Sequence, residues 1–383
     1  MSKSNETTPN VPTLRFKEFS GEWKKIRLGS IIEEIKTYTS DFNKYPLYSF
    51  TIENGVTPKT DRYERNFLVT KDGDTFKIVP PNSFVMNPMN LRFGAINYSK
   101  VKIPVSVSGY YNIFEIENGK NNEFWSAYFL TKTAINLYNS VATGSLIEKK
   151  RVHFSQFIQL SFYVPSDIEK QKITRFLQLI ENRIAVQNKI ISKYETLIKG
   201  IRERIVNCGW QWKKLDELIQ EGVVRLNRGN IIPKHPEDNT YKYPVYSSST
   251  QNNGLMGYND TYMFDKELIT WSIDGGGNFF YRKKHKFNVT NVCGIMQVDE
   301  NVYSYRFIAE MLTYQHSKMK FDYQSKAHPS VISSLYSLPC LPISEQNSYC
   351  RLFIALDRKI QIEQQSLCKL KEQKKYLLSK MFI

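Results

Sequence analysis

The most regular hydrophobic pattern in the chain lies between about residues 169 and 205, where apolar side chains recur three and four positions apart. Such heptad spacing is typical of a helix that buries a narrow stripe against another helix. No proline interrupts the pattern and no glycine occurs before Gly200, so it predicts one helix of roughly 37 residues, about 55 Å long. The stripe consists of Leu177, Ile180, Ile184, Ile191, Tyr194, Ile198, Ile201 and Ile205.

The same pattern returns in the last segment of the sequence. Its apolar positions are Phe353, Leu356, Ile360, Leu367, Leu370, Leu377 and Met381. Gln187 and Glu363 fill the same heptad position in the two stripes, and a shared polar position helps to fix the register of paired helices. We therefore expect the two long helices to form an antiparallel coiled coil that acts as a spacer.

The segments outside these helices are short, rich in β-branched and aromatic residues, and broken by Gly, Pro and Asn. This spacing favours a twisted, mostly antiparallel sheet. The predicted strands of the first half are 45–52, 76–79, 83–86, 95–98, 110–116 and 157–164. The other predicted elements there are a strand followed by a helical turn at 23–35 and a helix at 123–138.

The second half repeats the landmarks of the first. K-Y-P-L-Y-S at 44–49 returns as K-Y-P-V-Y-S at 242–247, and an Asn-Gly pair follows each string. A period near 180 residues is too long for a solenoid, so we interpret the chain as a duplicated unit of globular domain and long helix. The predicted fold is α+β: two tandem mixed α/β domains separated by two long helices, with a pseudo-twofold internal repeat. The predicted ranges are 1–20 for an N-terminal arm, 21–165 and 208–342 for the domains, and 166–207 and 343–383 for the spacer helices.

The chain is strongly basic, with a net charge of +16. This favours a polyanionic partner, nucleic acid first and an anionic membrane second, although a solvated basic surface is the plain alternative. No window approaches the roughly 18 apolar residues of a spanning helix, and residues 1–12 lack an apolar signal core. We expect a soluble, cytoplasmic protein without a membrane partner. The five cysteines are scattered and predict reduced thiols, not a metal site.

Five strings resemble, in their order along the chain, the landmarks of type I restriction-modification specificity (S) subunits. The landmarks recur in both halves, so the resemblance covers nearly the whole chain. The five strings are G-E-W-K-K-I-R-L-G, K-Y-P-V-Y-S-S-S-T-Q-N-N-G-L-M-G-Y, L-I-T-W-S-I-D-G-G-G-N-F-F-Y-R, S-K-A-H-P-S-V-I and L-P-I-S-E-Q. The resemblance implies two target-recognition domains that read a bipartite, asymmetric target in double-stranded DNA. The first domain carries N-P-M-N-L-R-F-G-A at 87–95 where the second has T-W-S-I-D-G-G-G-N, which suggests different target bases.

The resemblance also implies a non-catalytic subunit with partners. These are two modification (methyltransferase) subunits and restriction (nuclease/translocase) subunits, and only they would use S-adenosylmethionine or ATP with Mg. No cofactor is expected in this chain. The spacer helices would be the docking surface for the modification subunits, and they would also set the unread gap between the half-sites. The residues assigned to docking are Ile180, Ile184, Gln187, Ile191, Leu356, Ile360, Glu363 and Leu367.

Candidate DNA-binding residues were selected in turns that mirror each other in the two halves or carry charge. Arginine can bridge guanine acceptors, Asn or Gln can pair with adenine, and small residues let the backbone approach phosphate. In the first domain they are Tyr48, Ser49, Arg92, Lys102, Thr143, Gly144, Lys149 and Lys150. In the second they are Ser247, Ser248, Asn253, Trp271, Ser272, Asn278, Arg282, Ser325, Lys326 and His328. The alternatives are solvated charge for the basic residues and an ordinary hairpin for the glycine run at 275–277.

The sequence offers no catalytic residue of its own. The string at 87–90 lacks the second proline and the aromatic residue of an amino-methyltransferase motif. Asp167, Glu169 and Lys170 resemble a metal-nuclease cluster, but they begin a helix, where acidic side chains meet the amide dipole. Two rival interpretations remain open: a structural coiled-coil adaptor that binds proteins at both ends, and an enzyme with an unrecognised site.

Overall fold

The computed structural model describes residues 10–58, 75–145, 150–249, 251–274, 276–319 and 326–383. Its contacts divide the chain into two compact units, Met1–Val186 with Leu367–Ile383 and Gln187–Ser366. Both boundaries fall inside long helices. Each unit therefore contains one globular domain and part of each long helix.

The first part of the chain carries eleven of the described strands and four of the described helices. The strands are β1 (Lys24–Arg27), β2 (Ile32–Ile35), β3 (Tyr38–Thr39), β4 (Tyr48–Thr51), β5 (Gly55–Pro58), β6 (Phe76–Val79), β7 (Phe84–Met86), β8 (Ile96–Tyr98), β9 (Val105–Ser108), β10 (Asn112–Ile116) and β11 (Ser161–Val164). The helices are α1 (Asn122–Phe129), α2 (Lys132–Val141), α3 (Phe154–Phe157) and α4 (Asp167–Asn207).

The second part follows a similar order. Its strands are β12 (Trp212–Lys214), β13 (Val224–Arg228), β14 (Tyr243–Tyr246), β15 (Leu255–Asn259), β16 (Phe264–Asp265), β17 (Leu268–Ser272), β18 (Phe279–Arg282), β19 (Lys286–Val289), β20 (Cys293–Val298) and β21 (Ser337–Pro339). Its helices are α5 (Leu215–Gln220), α6 (Tyr305–Lys318), α7 (Pro329–Leu335) and α8 (Ile343–Met381).

The sheet topology confirms the internal repeat. The first domain contains a four-stranded sheet of order β2-β10-β7-β8, and the second contains the equivalent order β13-β20-β17-β18. A two-stranded ribbon occurs in each, β1 with β11 and β12 with β21. Even the parallel contact recurs, as the bridge from Leu47 to Ser106 in one domain and the β14–β19 pair in the other. The predicted α+β class with duplicated mixed domains is therefore correct.

Local departures from the predicted elements have identifiable causes. The single helix expected at 123–138 is two helices, because Thr131 leaves the helical conformation and its hydroxyl accepts the amide of Ala134 as an N-cap. The helical turn expected within 23–35 is followed by a second strand, β2, which pairs with β10. The strand expected at 157–164 begins only at Ser161, since the helical turn α3 precedes it.

The core of the first unit is aromatic and includes the last residues of the chain. Phe382 is 6% exposed, and its ring lies 4.8 Å from that of Tyr128 and 5.5 Å from that of Phe124, measured between centroids. Trp23 packs edge-on against the ring of Phe382. The C-terminus of α8 therefore completes the core of the first domain.

The described part of the N-terminal arm, from residue 10 onward, is fixed on the helices. Arg15 pairs with Glu169, which is only 1% exposed, at 2.7 Å. The neighbouring amide of Leu14 donates to the carbonyl of Lys380 at 2.8 Å. Further along, Lys374 of α8 pairs with Glu181 of α4. Moving from 169 to 181 on α4 thus corresponds to moving from 380 to 374 on α8, so the helices run antiparallel.

The two heptad stripes form the contact between the helices. In the second unit the amide of Gln187 donates to the carboxylate of Glu363 and, at 3.3 Å, to its carbonyl. Apolar layers flank this polar layer, with Ile191 and Leu356 buried. The predicted antiparallel pairing and its shared polar position are confirmed.

This packing places the predicted partner-docking residues in the seam between the helices, where the chain itself buries or half-buries them. They are Ile180, Ile184, Gln187, Ile191, Leu356, Ile360, Glu363 and Leu367. Their assignment to docking stays a prediction.

Replacing Phe382 with alanine tests the role of the C-terminus. We expect the free energy of unfolding to fall by about 3 kcal/mol, because an aromatic ring is removed from a packed core. Tyr376→Ala, near the end of α8, is the matched control, since Tyr376 is 58% exposed, and its effect should stay within about 0.5 kcal/mol. Urea denaturation of the full chain measures both. Equal effects of the two substitutions would contradict this account of the core.

Candidate nucleic-acid interface

Hydrogen bonds join several turns of the second domain at one end of β17. The hydroxyl of Ser272 donates to the carbonyl of Ser248 at 2.7 Å. The indole nitrogen of Trp271 donates to the carbonyl of Ala327 at 2.7 Å, and the ammonium of Lys326 lies 3.4 Å from a carboxylate oxygen of Asp274. Segments that are far apart in sequence are therefore held as one cluster of turns.

The turn at Gln251–Gly254 has an unusual backbone. Asn252 has a φ of 48°, Asn253 a φ of 51° and Gly254 a φ of 81°, so three successive residues occupy the left-handed region. Each non-glycine residue there costs about 1–2 kcal/mol, and asparagine tolerates it better than most. The side chains of Gln251, Asn252 and Asn253 are exposed. The turn thus presents amide groups to solvent on a backbone that other contacts must stabilise.

Arg282 supplies one of those contacts from inside the domain. It is 4% exposed, and its Nη1 donates to the carbonyl of Asn253 at 2.7 Å while its Nε donates to the hydroxyl of Thr270 at 2.9 Å. The guanidinium carbon lies 3.7 Å from the centroid of the Tyr246 ring and 4.9 Å from that of Phe280, a cation–π arrangement. Burial lowers the pKa of Arg282 to about 10, so it remains charged near neutral pH.

A cleft of about 740 Å³ lies beside this arginine and is lined by basic residues and by an ionic cluster. Glu310, 4% exposed, accepts from Arg202 Nε at 2.6 Å and also pairs with Arg306. Arg306 pairs in turn with Asp357 at 2.6 Å. A buried carboxylate of this kind persists only when it is paired, so the cluster ties α6 to the portions of α4 and α8 in the same unit.

The first domain has a smaller cleft of about 500 Å³. Its lining includes Thr143, Gly144, Arg151 and His153. Thr143 and Arg151 exchange backbone hydrogen bonds of 2.9 Å, which close the loop that joins them. The cleft therefore brings together two of the predicted residues, Thr143 and Gly144.

The other predicted residues of the first domain are not part of this cleft. Tyr48 and Ser49 lie half-buried on β4, where Ser49 pairs with Thr57 of β5. The Nε of Arg92 donates to Asn139 at 2.7 Å, and Lys102 is exposed in the loop before β9. Lys150 is half-buried.

In the second domain the structure separates surface candidates from supporting ones. Trp271 and Ser272 are fully buried and Arg282 nearly so, so their side chains support the cluster of turns, and Arg282 also lines the larger cleft. Their assignment as DNA contacts stays a prediction. Ser247 is also buried and accepts from Thr290 at 3.0 Å.

The remaining candidates of the second domain stay accessible. They are the half-buried Ser248, Asn278 and His328 and the exposed Asn253 and Lys326. Lys149, Ser325 and Gly275, together with residues 1–9 of the arm, lie outside the described residues.

Several residues outside the selected set lie in the same region. Lys283 and Lys284 are exposed after β18 and line the larger cleft, and His285 bonds the Tyr246 hydroxyl at 3.1 Å. Gln251 and Asn252 directly precede the selected Asn253 and are exposed on the same turn. A basic pair following a strand and an amide-rich Q-N-N-G string were the signals available for them.

His316 supports the glycine loop from α6. Its Nδ1 lies 2.7 Å from the hydroxyl of Tyr336. Burial lowers the pKa of His316 below its ordinary value of 6.5, and a hydrogen bond to the backbone of Gly276 opposes that shift. The neutral ring is therefore the form that the folded domain favours.

The described residues contain no group of three or more His, Cys, Asp or Glu side chains placed to hold a metal ion. In the same part of the chain, no helix combines the length and the apolar character needed to cross a membrane. The larger cleft carries more basic than acidic side chains, and with the amide-bearing turn it has the chemistry of a surface that binds an anionic polymer.

Two similar α/β domains that present different turns, each tied to a coiled coil, define a tandem recognition protein. The family model of the type I restriction modification DNA specificity domain matches residues 20–196 and again residues 207–372. The chain belongs to this family and carries its domain twice.

Relatives and solved structures agree with this assignment. A type I specificity subunit of Mycoplasma pneumoniae is 36% identical over 132 residues, which cover 32% of this chain and 42% of that protein. The specificity subunit of the type I restriction enzyme MpnII from the same organism is 29% identical over 128 residues, 32% of this chain and 39% of that protein. The chain thus spans less than half the length of these two relatives.

The structural likeness covers nearly the whole chain. A type I restriction-modification S subunit from M. genitalium has a TM-score of 0.61 at 14% identity, covering 97% of this chain and 99% of that one. A chain from a structure of the assembly and conformational transition of the type I R-M system has a TM-score of 0.55 at 12% identity, covering 94% and 97%. At such identities the likeness shows a shared fold.

The position of His316 predicts a pH dependence of stability. Because its folded-state pKa lies below the unfolded value, its contribution is complete above the unfolded pKa and is lost as the pH falls from there through the folded-state pKa. We expect His316→Gln to flatten the loss of stability between about pH 7.5 and about pH 5.5. The exposed His153 provides the control His153→Gln, which should keep the wild-type slope. Urea denaturation across this range measures both, and an unchanged slope for His316→Gln would exclude this role.

Proposed function

We propose that this chain is the DNA-recognition subunit of a type I restriction-modification complex and that each domain reads one half of a bipartite, asymmetric target. The observation that carries the proposal is the double match to the DNA specificity domain on a repeated scaffold. A net charge of +16 supports it, because cationic surfaces gain affinity from counterion release on a duplex.

Divergence between the domains supports an asymmetric target. In the first, the residues before β8 form a turn in which Arg92 is tied to Asn139. In the second, the equivalent position before β18 carries a glycine-rich loop next to Trp271. Since base recognition depends on turn residues placed against a groove, different turns on one scaffold select different half-sites.

The chain would act without chemistry of its own. Asp167 and Lys170, at the start of α4, form an ion pair of 3.1 Å with each other, and Lys170 also pairs with Glu117 at 2.6 Å. Glu169 is satisfied by Arg15. These groups are thus engaged in structural ion pairs, and S-adenosylmethionine and ATP with Mg would be used by partner subunits.

The docking surface for modification subunits would be an outward apolar stripe on α4. Ile168, Leu179 and Val186 are 72%, 58% and 55% exposed. Their spacings of 11 and 7 residues are close to whole turns of about 3.6 residues, so they share one face. That face lies roughly a third of a turn from the seam with α8. Exposed apolar residues in register on a helix are typical anchors for a partner helix.

Exchange of the second domain tests recognition. Residues 208–342 would be replaced by the corresponding segment of a related specificity subunit, and the chimera would be expressed with its modification subunits. We expect one half of the methylated sequence to change while the other half is retained, because each domain carries its own turns. Genome-wide mapping of modified adenines gives the result. A change in both halves, or in neither, would contradict the proposal.

Charge substitution on the apolar stripe tests docking. Leu179→Glu with Val186→Glu should weaken assembly with modification subunits by at least about tenfold, since two apolar anchors are lost. Gln178→Glu with Ala185→Glu is the matched control, because these residues are also exposed and lie seven apart on another face. Native mass spectrometry of the co-expressed subunits reports the stoichiometry. An equal loss of assembly in both double variants would contradict docking through the apolar stripe.

A further inference from the structure

We propose that the Gln251–Gly254 turn reads base edges for the second domain and that the buried Arg282 is the positioning residue that holds it. This inference rests on the proposed function and deepens it. It assigns base reading to Gln251 and Asn252 in addition to Asn253, and it gives Arg282 a role without contact to DNA.

The chemistry of the turn suits a base edge. Gln251, Asn252 and Asn253 are exposed side by side, and each amide offers a donor and an acceptor. That pair matches the amino group and ring nitrogen that adenine displays in the major groove. An adjacent exposed lysine or arginine would suit phosphate, whereas a run of neutral amides suits recognition of a base.

The conformation of the turn depends on contacts made beneath it. Three left-handed residues in succession are rare, so the carbonyl groups of the turn need fixed partners. The amide of Ser247 donates to Gly254 at 2.8 Å, and Arg282 donates to Asn253 at 2.7 Å. Gly254 is required for this approach, because a Cβ there would lie 2.9 Å from the Ser247 carbonyl and 3.2 Å from Arg282 Nη2.

Arg282 is anchored on its other sides. Thr270 and the ring of Tyr246 hold the guanidinium, and the Tyr246 hydroxyl is held in turn by His285. The remaining nitrogen, Nη2, is buried and has no hydrogen-bond partner among the described residues. With only 4% of its surface exposed, Arg282 has little area to offer a base or a phosphate, so we expect its effect on recognition to pass through the carbonyl of Asn253.

The described residues of the first domain show no equivalent support. Its corresponding strand β8 ends at Tyr98, whose hydroxyl donates to Glu123 at 3.1 Å. The hairpin turn before β5 has one left-handed residue, Gly55, with a φ of 64°. Support of the turn by a buried arginine is thus a feature of the second domain, and removing Arg282 should affect only that half of the target.

The test uses the full chain with its modification subunits and a library of duplexes with a random core. We expect Arg282→Met to lose discrimination in one half-site by roughly fivefold to hundredfold, the range for one well-placed amide–base pair. The other half-site should be unchanged. The slope of log affinity against log salt should also be unchanged, whereas loss of a phosphate contact would lower it by about 0.9.

A second variant tests the turn without disturbing the interior. Asn252→Gly with Asn253→Gly permits the left-handed backbone but deletes two of the three amides, and it should remove the part of the same half-site preference that these two amides supply. The matched control is Asn118→Gly, because Asn118 is an exposed asparagine with a φ of 54° in a turn of the first unit. This control should leave both half-sites intact.

Combining the changes separates positioning from direct contact. If Arg282 acts through the turn, Arg282→Met added to the double glycine variant should have little further effect. Additive losses, or a lower salt slope for Arg282→Met, would overturn its positioning role. If the double glycine variant keeps its half-site preference, base reading by the turn is refuted. This test does not depend on whether Arg282→Met folds. Failure of the wild-type complex to select any sequence would instead refute the proposed function.

Discussion

The seam between α4 and α8 is the constraint on which the rest of the structure depends. Its apolar residues continue directly into the domain cores: Leu177 and Leu377 belong to the core cluster of the first unit, and Ile198 and Leu356 to that of the second. Neither domain has a core that is closed without helix residues. The position of a domain on its helices is therefore fixed by hydrophobic burial, and a flexible linker plays no part in it.

Buried charges add direction to this apolar packing. The ionic cluster around Glu310 joins α6 to α4 and α8 in the second unit, and the Arg15–Glu169 pair joins the arm to α4 in the first. Hydrophobic contacts alone would tolerate small rotations of a domain against a helix, whereas a buried ion pair is lost when its geometry changes. A recognition domain benefits from that restriction, because its turns must meet a groove in one orientation.

The sequence was sufficient to predict the features that rest on period and repetition. Heptad spacing gave both long helices, and the coincidence of Gln187 with Glu363 anticipated their contact. Burial of single polar residues was not predictable in the same way. Arg282 and Trp271 stand in strings that read as exposed turns, and only the pairing of β17 with β18 and β20 places them inside the domain. Such placement depends on strands that are distant in sequence, which local patterns do not encode.

The contrast between Arg282 and the turn above it bears on how such a domain changes its target. An arginine on the surface reads a base by itself, and its replacement removes one contact. An arginine beneath a turn fixes the backbone while leaving the amides of Asn252 and Asn253 free to differ from one relative to another. Because Arg282 binds the carbonyl of Asn253 and not its side chain, the contact tolerates at position 253 any residue that accepts a left-handed backbone. The same scaffold can therefore present different readers without a change in its core.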